Sequence, residues 1–222
     1  MTTTAVKPDL LGALLTRLTG DEKHAPSAYS TLDVLWVLYD RVLRLSPDAV
    51  DDPDRDRFLL SKGHGPAAYY AVLAAKGYFP VEWLDDFGGP RSRLGYHPDR
   101  LLIPGVEIGT GSLGHGLGIG VGTALGLRAQ GLAARTFVLL GDAELDEGSN
   151  HEAIAYAAAI RLPLTAIVID NQSSTHGWPG GIPARFPGWS VSVVNGRDHD
   201  EIERALRVTG RPHLVVAAVE TK

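Results

Sequence analysis

Asp142 and Asn171 stand 29 residues apart, and each follows an apolar run: Thr136 to Leu140 leads into Gly141-Asp142, and Leu164 to Ile169 into Asp170-Asn171. That separation is the length of one strand–helix–strand unit. The two side chains are therefore expected at the carboxyl ends of neighbouring parallel strands, on the rim where open α/β sheets bind ligands. A carboxylate, an amide oxygen and a nearby backbone carbonyl make a hard oxygen set. It suits Mg2+, which takes one or two carboxylates and completes its octahedron with phosphate oxygens and water. The same pair would also serve as turn caps, and spacing alone leaves both readings open. Between them, Asp142, Glu144, Asp146 and Glu147 crowd the approach to a helix.

Two histidines lie in turns with no apolar periodicity, His64 in "KGHGP" and His97 in "GYHPD". A lone loop histidine is ordinarily just solvated, yet it titrates close to neutrality and so suits proton transfer. The segment "GTGSLGHGLGIGVGTALGLRAQ" (109–130) repeats glycine every four residues, at Gly114, Gly118, Gly122 and Gly126. On a helix these make one bare seam that lets another backbone approach closely. Leu113 to Leu127 is only 15 residues long and contains His115, short of the ~20 a bilayer requires, so a packed helix is expected rather than a span.

The elements that must position these groups follow from periodicity. An N-terminal helix is expected before residue 23, with no signal-peptide cleavage site. A helix is expected from Ser30 to Leu45, with Ser30 as its cap and one face of Leu32, Leu35, Trp36, Tyr39, Val42 and Leu43. "DDPDRDR" (51–57) reads as a solvated loop and "FLLS" as a short buried strand, after which Pro66 opens a helix. "TFVLLGD", a helix from Asn150 to Arg161 and "LTAIVID" form a βαβ unit. Residues 173–190 carry too much Gly and Pro for regular structure. "SVSVV", a helix from Asp200 to Val208 and "HLVVAAVE" close the chain. This alternation predicts a doubly wound parallel α/β sheet flanked by helices, in one domain spanning residues 1–222.

Composition narrows the function classes. The 222 residues are 44% hydrophobic, enough for one substantial core. A net charge of -5 without a basic cluster argues against nucleic acid. The absence of cysteine excludes disulfides and thiolate metal sites, and is compatible with a cytoplasmic location.

"GDAELDEG…IDN" resembles the thiamine-diphosphate motif, in which GDG is followed about thirty residues later by Asn. "RFLLSKGHGPAAYYAVLAAKGYF", "HPDRLLIPGVEIGTGSLGHGLGIGVGTALG" and "GDAELDEGSNHEAIAYAA" are similar to the N-terminal domain of transketolases, and "HAPSAYSTLDVLWVLY" resembles a degraded first His-Gly segment of it. The likeness runs from about His24 to the end and is nearest to the short subunits of split transketolases. It implies the thiamine-diphosphate-binding fold, with Mg2+ held by Asp142, Asn171 and the carbonyl of Ser173. Gly141 and Ala143 would bring backbone to the diphosphate. Gly111, Ser112 and Leu113 would lie beside the cofactor rings, His115 near the diphosphate, and Glu147 behind the metal. His24, His64 and His97 would bind sugar hydroxyls and move protons. His176, His199 and His213 have no comparable support, although His176 falls in the loop beside the site.

Three departures stand out. Ala143 replaces the second Gly of GDG, so a methyl faces the diphosphate. Ser173, Ser174, Thr175 and His176 replace the family's apolar residues after the Asn. The chain also ends before the family's later active-site His and before its pyrimidine-binding domain, whose Glu activates the cofactor. The resemblance therefore implies a pyrimidine-binding partner subunit supplying that Glu, in an α2β2 heterotetramer that moves a two-carbon ketol unit from a ketose to an aldehyde. A related ketol or acyl transfer in a specialised pathway, or a non-catalytic scaffold subunit, remains as an alternative.

Overall fold

The structure, a computed structural model, describes residues 8–19, 25–174 and 176–220. Five strands form one sheet: β1 (Arg57–Leu60), β2 (Thr136–Gly141), β3 (Thr165–Asp170), β4 (Ser190–Asn195) and β5 (His213–Ala218). Their order is β1-β2-β3-β5-β4 and every pairing is parallel. β1, β2, β3 and β5 are short, almost wholly buried runs because both of their faces are covered, whereas the edge strand β4 alternates Ser and Val and leaves Val191 and Val193 exposed. Side chains alternate between the faces with period two. Phe58, Leu60, Leu139, Ile167 and Ile169 enter the core under α1 (Pro8–Thr19), α2 (Ala25–Val37), α3 (Pro66–Ala75) and α7 (His199–Leu206). Leu59, Val138, Leu140, Val168 and Leu214 enter the opposite core under α4 (His115–Ala129) and α5 (Gly148–Ala159). Gly141 pairs with Ile169, so Asp142 and Asn171 leave adjacent strands on one rim, as their spacing predicts.

Several boundaries differ from expectation. α2 begins at Ala25 rather than at a Ser30 cap. Ser30 and Thr31 sit inside the helix and turn their hydroxyls back to the Ser27 carbonyl, at 2.8 and 2.9 Å, the alternative use of such side chains in helix interiors. The α-helix stops at Val37, and a π turn over Leu38–Val42 replaces its expected continuation to Leu45. That turn carries Tyr39 into an aromatic cluster, 5.5 Å from the Phe58 ring, with its hydroxyl 3.1 Å from that of Tyr69. The Gly/Pro-rich stretch after residue 173 contains one short turn, α6 (Gly181–Ala184).

The glycine seam is left mostly open by the chain itself. Of its four members only Gly114 is closed in by the chain, where a Cβ would lie 2.6 Å from that of Glu147. A Cβ at Gly118 or Gly122 would meet nothing within 4 Å. Close approach inside the fold occurs instead at Gly116, against Ser61, and at Gly120, against Val138. Half the predicted seam is thus an open surface, beside Ile119 at 45% exposure. Among the described residues no helix is long and apolar enough to cross a membrane.

Candidate functional site

β2 delivers Asp142 to the carboxyl rim with only 3% exposure. Its carboxylate is fully engaged by donors. Oδ1 accepts from the Ala143 N–H at 2.8 Å and from the Ser173 hydroxyl. Oδ2 accepts from the N–H groups of Ser173 and Ser174, at 2.6 and 3.2 Å. The chain can present those two amides because Gln172, at φ 55°, takes the left-handed conformation, uncommon for a residue with a side chain. Asn171, one residue earlier, is 1% exposed, and its amide oxygen has no hydrogen-bond partner. A buried acceptor left unpaired is destabilising and calls for an explanation. A cation at this rim would supply one, and a carboxylate with an amide oxygen is a donor set that would suit Mg2+. Among the described residues no three His, Cys, Asp or Glu side chains cluster as a metal site. The residues that would hold a cation here are accordingly one carboxylate, Asp142, and the Asn171 amide, with backbone oxygen beside them.

Three loops close around this rim. The turn after β1 carries His64, whose carbonyl accepts from Lys62 Nζ at 2.8 Å. Lys62 is buried, bonds the Ser27 carbonyl at 3.2 Å, and runs its aliphatic stem 3.5 Å from where a Cβ on Gly141 would lie. The same turn touches the next loop, since a Cβ on Gly63 would meet Leu113 at 3.0 Å. The His97 ring packs on Gly111, where a Cβ would come within 3.1 Å and φ is +118°. The structure thus brings the loops of His64 and His97 together with Gly111, Ser112 and Leu113. His64, His97, Ser112 and His115 are exposed, as is Leu113 at 39%. His24 and Thr175 lie outside the described residues. Glu147 flanks Gly114, and Ala143 is exposed without a positive φ, so its backbone does not require glycine.

Sequence reasoning passed over several residues of this region. Glu144 is 2% exposed. Its Oε1 accepts from the Gly114 N–H at 2.9 Å and from the Ser61 hydroxyl, and its Oε2 from the Gly141 N–H at 3.3 Å. Burial pushes the Glu144 carboxyl above the usual carboxylate range, against the pull of these bonds and of the Lys62 charge. Arg185, also buried, bonds Asp146 at 2.7 Å and lies 4.7 Å from the Trp178 ring. Arg185 and Trp178, with Asp142, Ser174 and His176, line a cavity of about 270 Å3. The sequence offered one signal for Lys62 and Glu144, namely charge set directly beside buried strands. Burial itself is a tertiary property.

A parallel sheet with an acid and an orphaned amide oxygen on adjacent strand ends, beside a glycine-rich helix start, defines a class of α/β domain built to hold a diphosphate cofactor. The family described as the transketolase thiamine diphosphate binding domain matches residues 19–219. The chain belongs to this family of thiamine-diphosphate-dependent transferases. It is 37% identical over 207 residues to one of the subunits of apulose-4-phosphate transketolase from Actinobacillus succinogenes, covering 87% of this chain and 75% of that one. It is likewise 37% identical over 206 residues to the 6-deoxy-6-sulfo-D-fructose transketolase subunit SqwG of a Clostridium species, with the same coverage. A third relative, named ferredoxin Fas2, of Rhodococcoides fascians, is 57% identical over 217 residues, 95% of this chain and 71% of that protein. This chain has no cysteine and so cannot itself hold a thiolate-ligated iron–sulfur cluster. Among solved structures, the Campylobacter jejuni transketolase superposes with a TM-score of 0.78 at 26% identity, over 96% of this chain and 38% of that one. A Pichia stipitis transketolase gives 0.77 at 30% identity, over 94% and 34%. The chain spans about a third of the length of these solved transketolases.

Proposed function

We propose that this chain is the diphosphate- and Mg2+-binding subunit of a two-component enzyme that transfers a two-carbon ketol unit from a ketose to an aldehyde. The observation that carries the reading is the unpaired, buried Asn171 amide oxygen, on the strand end adjacent to that of Asp142. It is an acceptor set where a cation bridging protein to diphosphate belongs. In this reading Asp142, Asn171 and the Ser173 carbonyl hold the cation, while Gly141 and Ala143 face the diphosphate. The segment 111–113 and His115 flank the cofactor, with Glu147 behind the metal. Bound there, thiamine diphosphate supplies a thiazolium carbon that acts as a nucleophile toward a carbonyl. In this reading His64 and His97, which are exposed, hold sugar hydroxyls and move their protons, and His24 joins them by motif. The relatives named as transketolase subunits support a split enzyme. The partner in this proposal is a pyrimidine-binding subunit that supplies the activating Glu, in an α2β2 assembly.

The test is Mg2+-dependent binding of thiamine diphosphate to the assembled enzyme, with Asp142→Ala as the variant. Loss of binding is expected, because the diphosphate would face the rim without its bridging cation. Binding as tight as wild type would overturn the site assignment. Proton exchange at the thiazolium carbon should stay near its free-solution rate with this chain alone and rise when the partner is added.

A further inference from the structure

α4 starts without a cap of its own. Its N-cap residue, Gly114, has φ 81° and no side chain, while a helix start leaves several N–H groups without internal partners. They are satisfied from elsewhere in the chain. The Gly114 N–H is taken by Glu144 Oε1 at 2.9 Å, and the Gly116 N–H by the Ser61 hydroxyl oxygen at 3.1 Å. Ser61 in turn donates to the same Glu144 oxygen. The second carboxylate oxygen takes the Gly141 N–H, and the Glu144 carbonyl receives the Asn150 amide at 2.6 Å. One side chain therefore joins the ends of β1 and β2 to the start of α4, while its backbone anchors α5. A carboxylate at a helix N-terminus is also favoured by the helix dipole. The three segments that it ties are those forming the wall of the proposed cofactor crevice: the residues after β1, Gly141 and the stretch 111–115.

We propose that Glu144 is a positioning residue for the cofactor: through Ser61 and the amides of Gly114 and Gly141, it fixes the 111–115 segment against the end of β2 at the separation that thiamine diphosphate requires. This rests on the function proposed above. Glu144 itself touches neither cofactor nor substrate and acts only by holding backbone. Its required property is acceptance of hydrogen bonds by a buried side chain of this length. Glutamine retains one acceptor oxygen for Gly114 and Ser61 but turns an N–H donor toward the Gly141 N–H. Alanine leaves all three donors unpaired.

The test compares wild type, Glu144→Gln, Glu144→Ala and Ser61→Ala by two readouts. The first, amide hydrogen exchange across the full chain, needs no cofactor. Glu144→Ala should speed exchange in peptides covering 109–117 by roughly tenfold or more, leave those covering β5 unchanged, and be largely rescued by Glu144→Gln. The second is the apparent KM for thiamine diphosphate, with Mg2+, in the enzyme assembled with its partner. It should rise roughly 30-fold in Glu144→Ala and less than about fivefold in Glu144→Gln, while kcat at saturating cofactor stays within about threefold. Wild-type exchange and KM in Glu144→Ala would overturn the proposal. Equal damage from Gln and Ala would also overturn it, because the acceptor that Gln keeps for Gly114 and Ser61 would then contribute nothing. If Glu144→Ala fails to fold, Ser61→Ala decides: faster exchange at 114–117 with a severalfold higher KM supports the role, and no change in either refutes it. A wild-type assembly that binds no thiamine diphosphate would overturn the proposed function instead, and exchange would still decide whether Glu144 pins α4.

Discussion

Removing the Asn171 amide should separate folding from cation binding. Its oxygen has no partner, so Asn171→Ala loses no hydrogen bond at that atom and relieves a buried acceptor whose desolvation costs about 1–3 kcal/mol. The expected result is a metal-free melting temperature close to wild type, and loss of the rise that Mg2+ and thiamine diphosphate give the wild-type assembly. A variant stabilised by the pair as much as wild type would remove Asn171 from the metal set. For the exposed loop histidines, His64→Ala and His97→Ala should leave folding intact and lower turnover by roughly 10²–10⁴-fold, the scale of general acid–base catalysis; full turnover in both would end that assignment. The acid–amide pair was legible in sequence because strand ends and the length of a βαβ unit are local properties. Glu144 was not. It is one of four acids within six residues, and only burial against Ser61 and Gly114 distinguishes it. Ala143 holds a position with no positive φ, so its backbone is unstrained without glycine; the methyl it turns toward the proposed diphosphate is a separate matter that φ does not address.

At the scale of elements, α4 allows a test with two opposite arms. Gly118 has open space where a Cβ would go, so Gly118→Ala should raise the stability of the isolated chain by roughly 0.5–1 kcal/mol through helix propensity. If this face receives the partner, the same methyl should weaken assembly, measured by light scattering of the mixture. Unimpaired assembly would place the interface elsewhere. Gly116→Ala drives a Cβ into Ser61 and should destabilise the isolated chain, because overpacking a tight contact forces backbone shifts costing typically 1–3 kcal/mol. The sequence showed glycines every four residues and so indicated a seam at 114, 118, 122 and 126. The chain uses the neighbouring face, through Gly116 and Gly120, because that face turns toward β1 and β2. A period locates a stripe on a helix but not the direction in which the sheet lies. The start of α2 was misplaced for a related reason: Ser30 reads as a cap, but its hydroxyl bonds a carbonyl one turn back.

Across the whole molecule, acid should lower the chain's stability over two pH ranges. Burial holds the His213 imidazole below its ordinary value. The stability tied to its neutral form is present above the unfolded value of about 6.5 and is lost as pH falls through the depressed folded value. For Asp56, burial pushes upward, but bonds from Arg135 and Arg44 outweigh it and hold the carboxyl below the usual range. Its contribution is present above the unfolded value of about 3.9 and is lost as pH falls through the folded value. Glu144 acts in the opposite sense, since its raised value favours the protonated fold. Urea unfolding between pH 3 and 8 should therefore show a weaker acid decline below about 6.5 in His213→Gln, and below about 4 in Asp56→Asn. A wild-type slope in both variants would show that other groups govern acid stability.

The open stretch of α4 at Gly118 and Gly122 has one more consequence. A surface made largely of backbone at Gly118 and Gly122, with Ile119 beside it, would hold a protein seated on it mainly by closeness of fit, and an added methyl there would work against that fit. A cell making several such two-part enzymes could keep their halves from exchanging with no dedicated recognition motif. If the partner seats on this face, related halves carrying alanine at these two positions should fail to cross-assemble with it, and mixed-subunit reconstitution would measure that orthogonality directly.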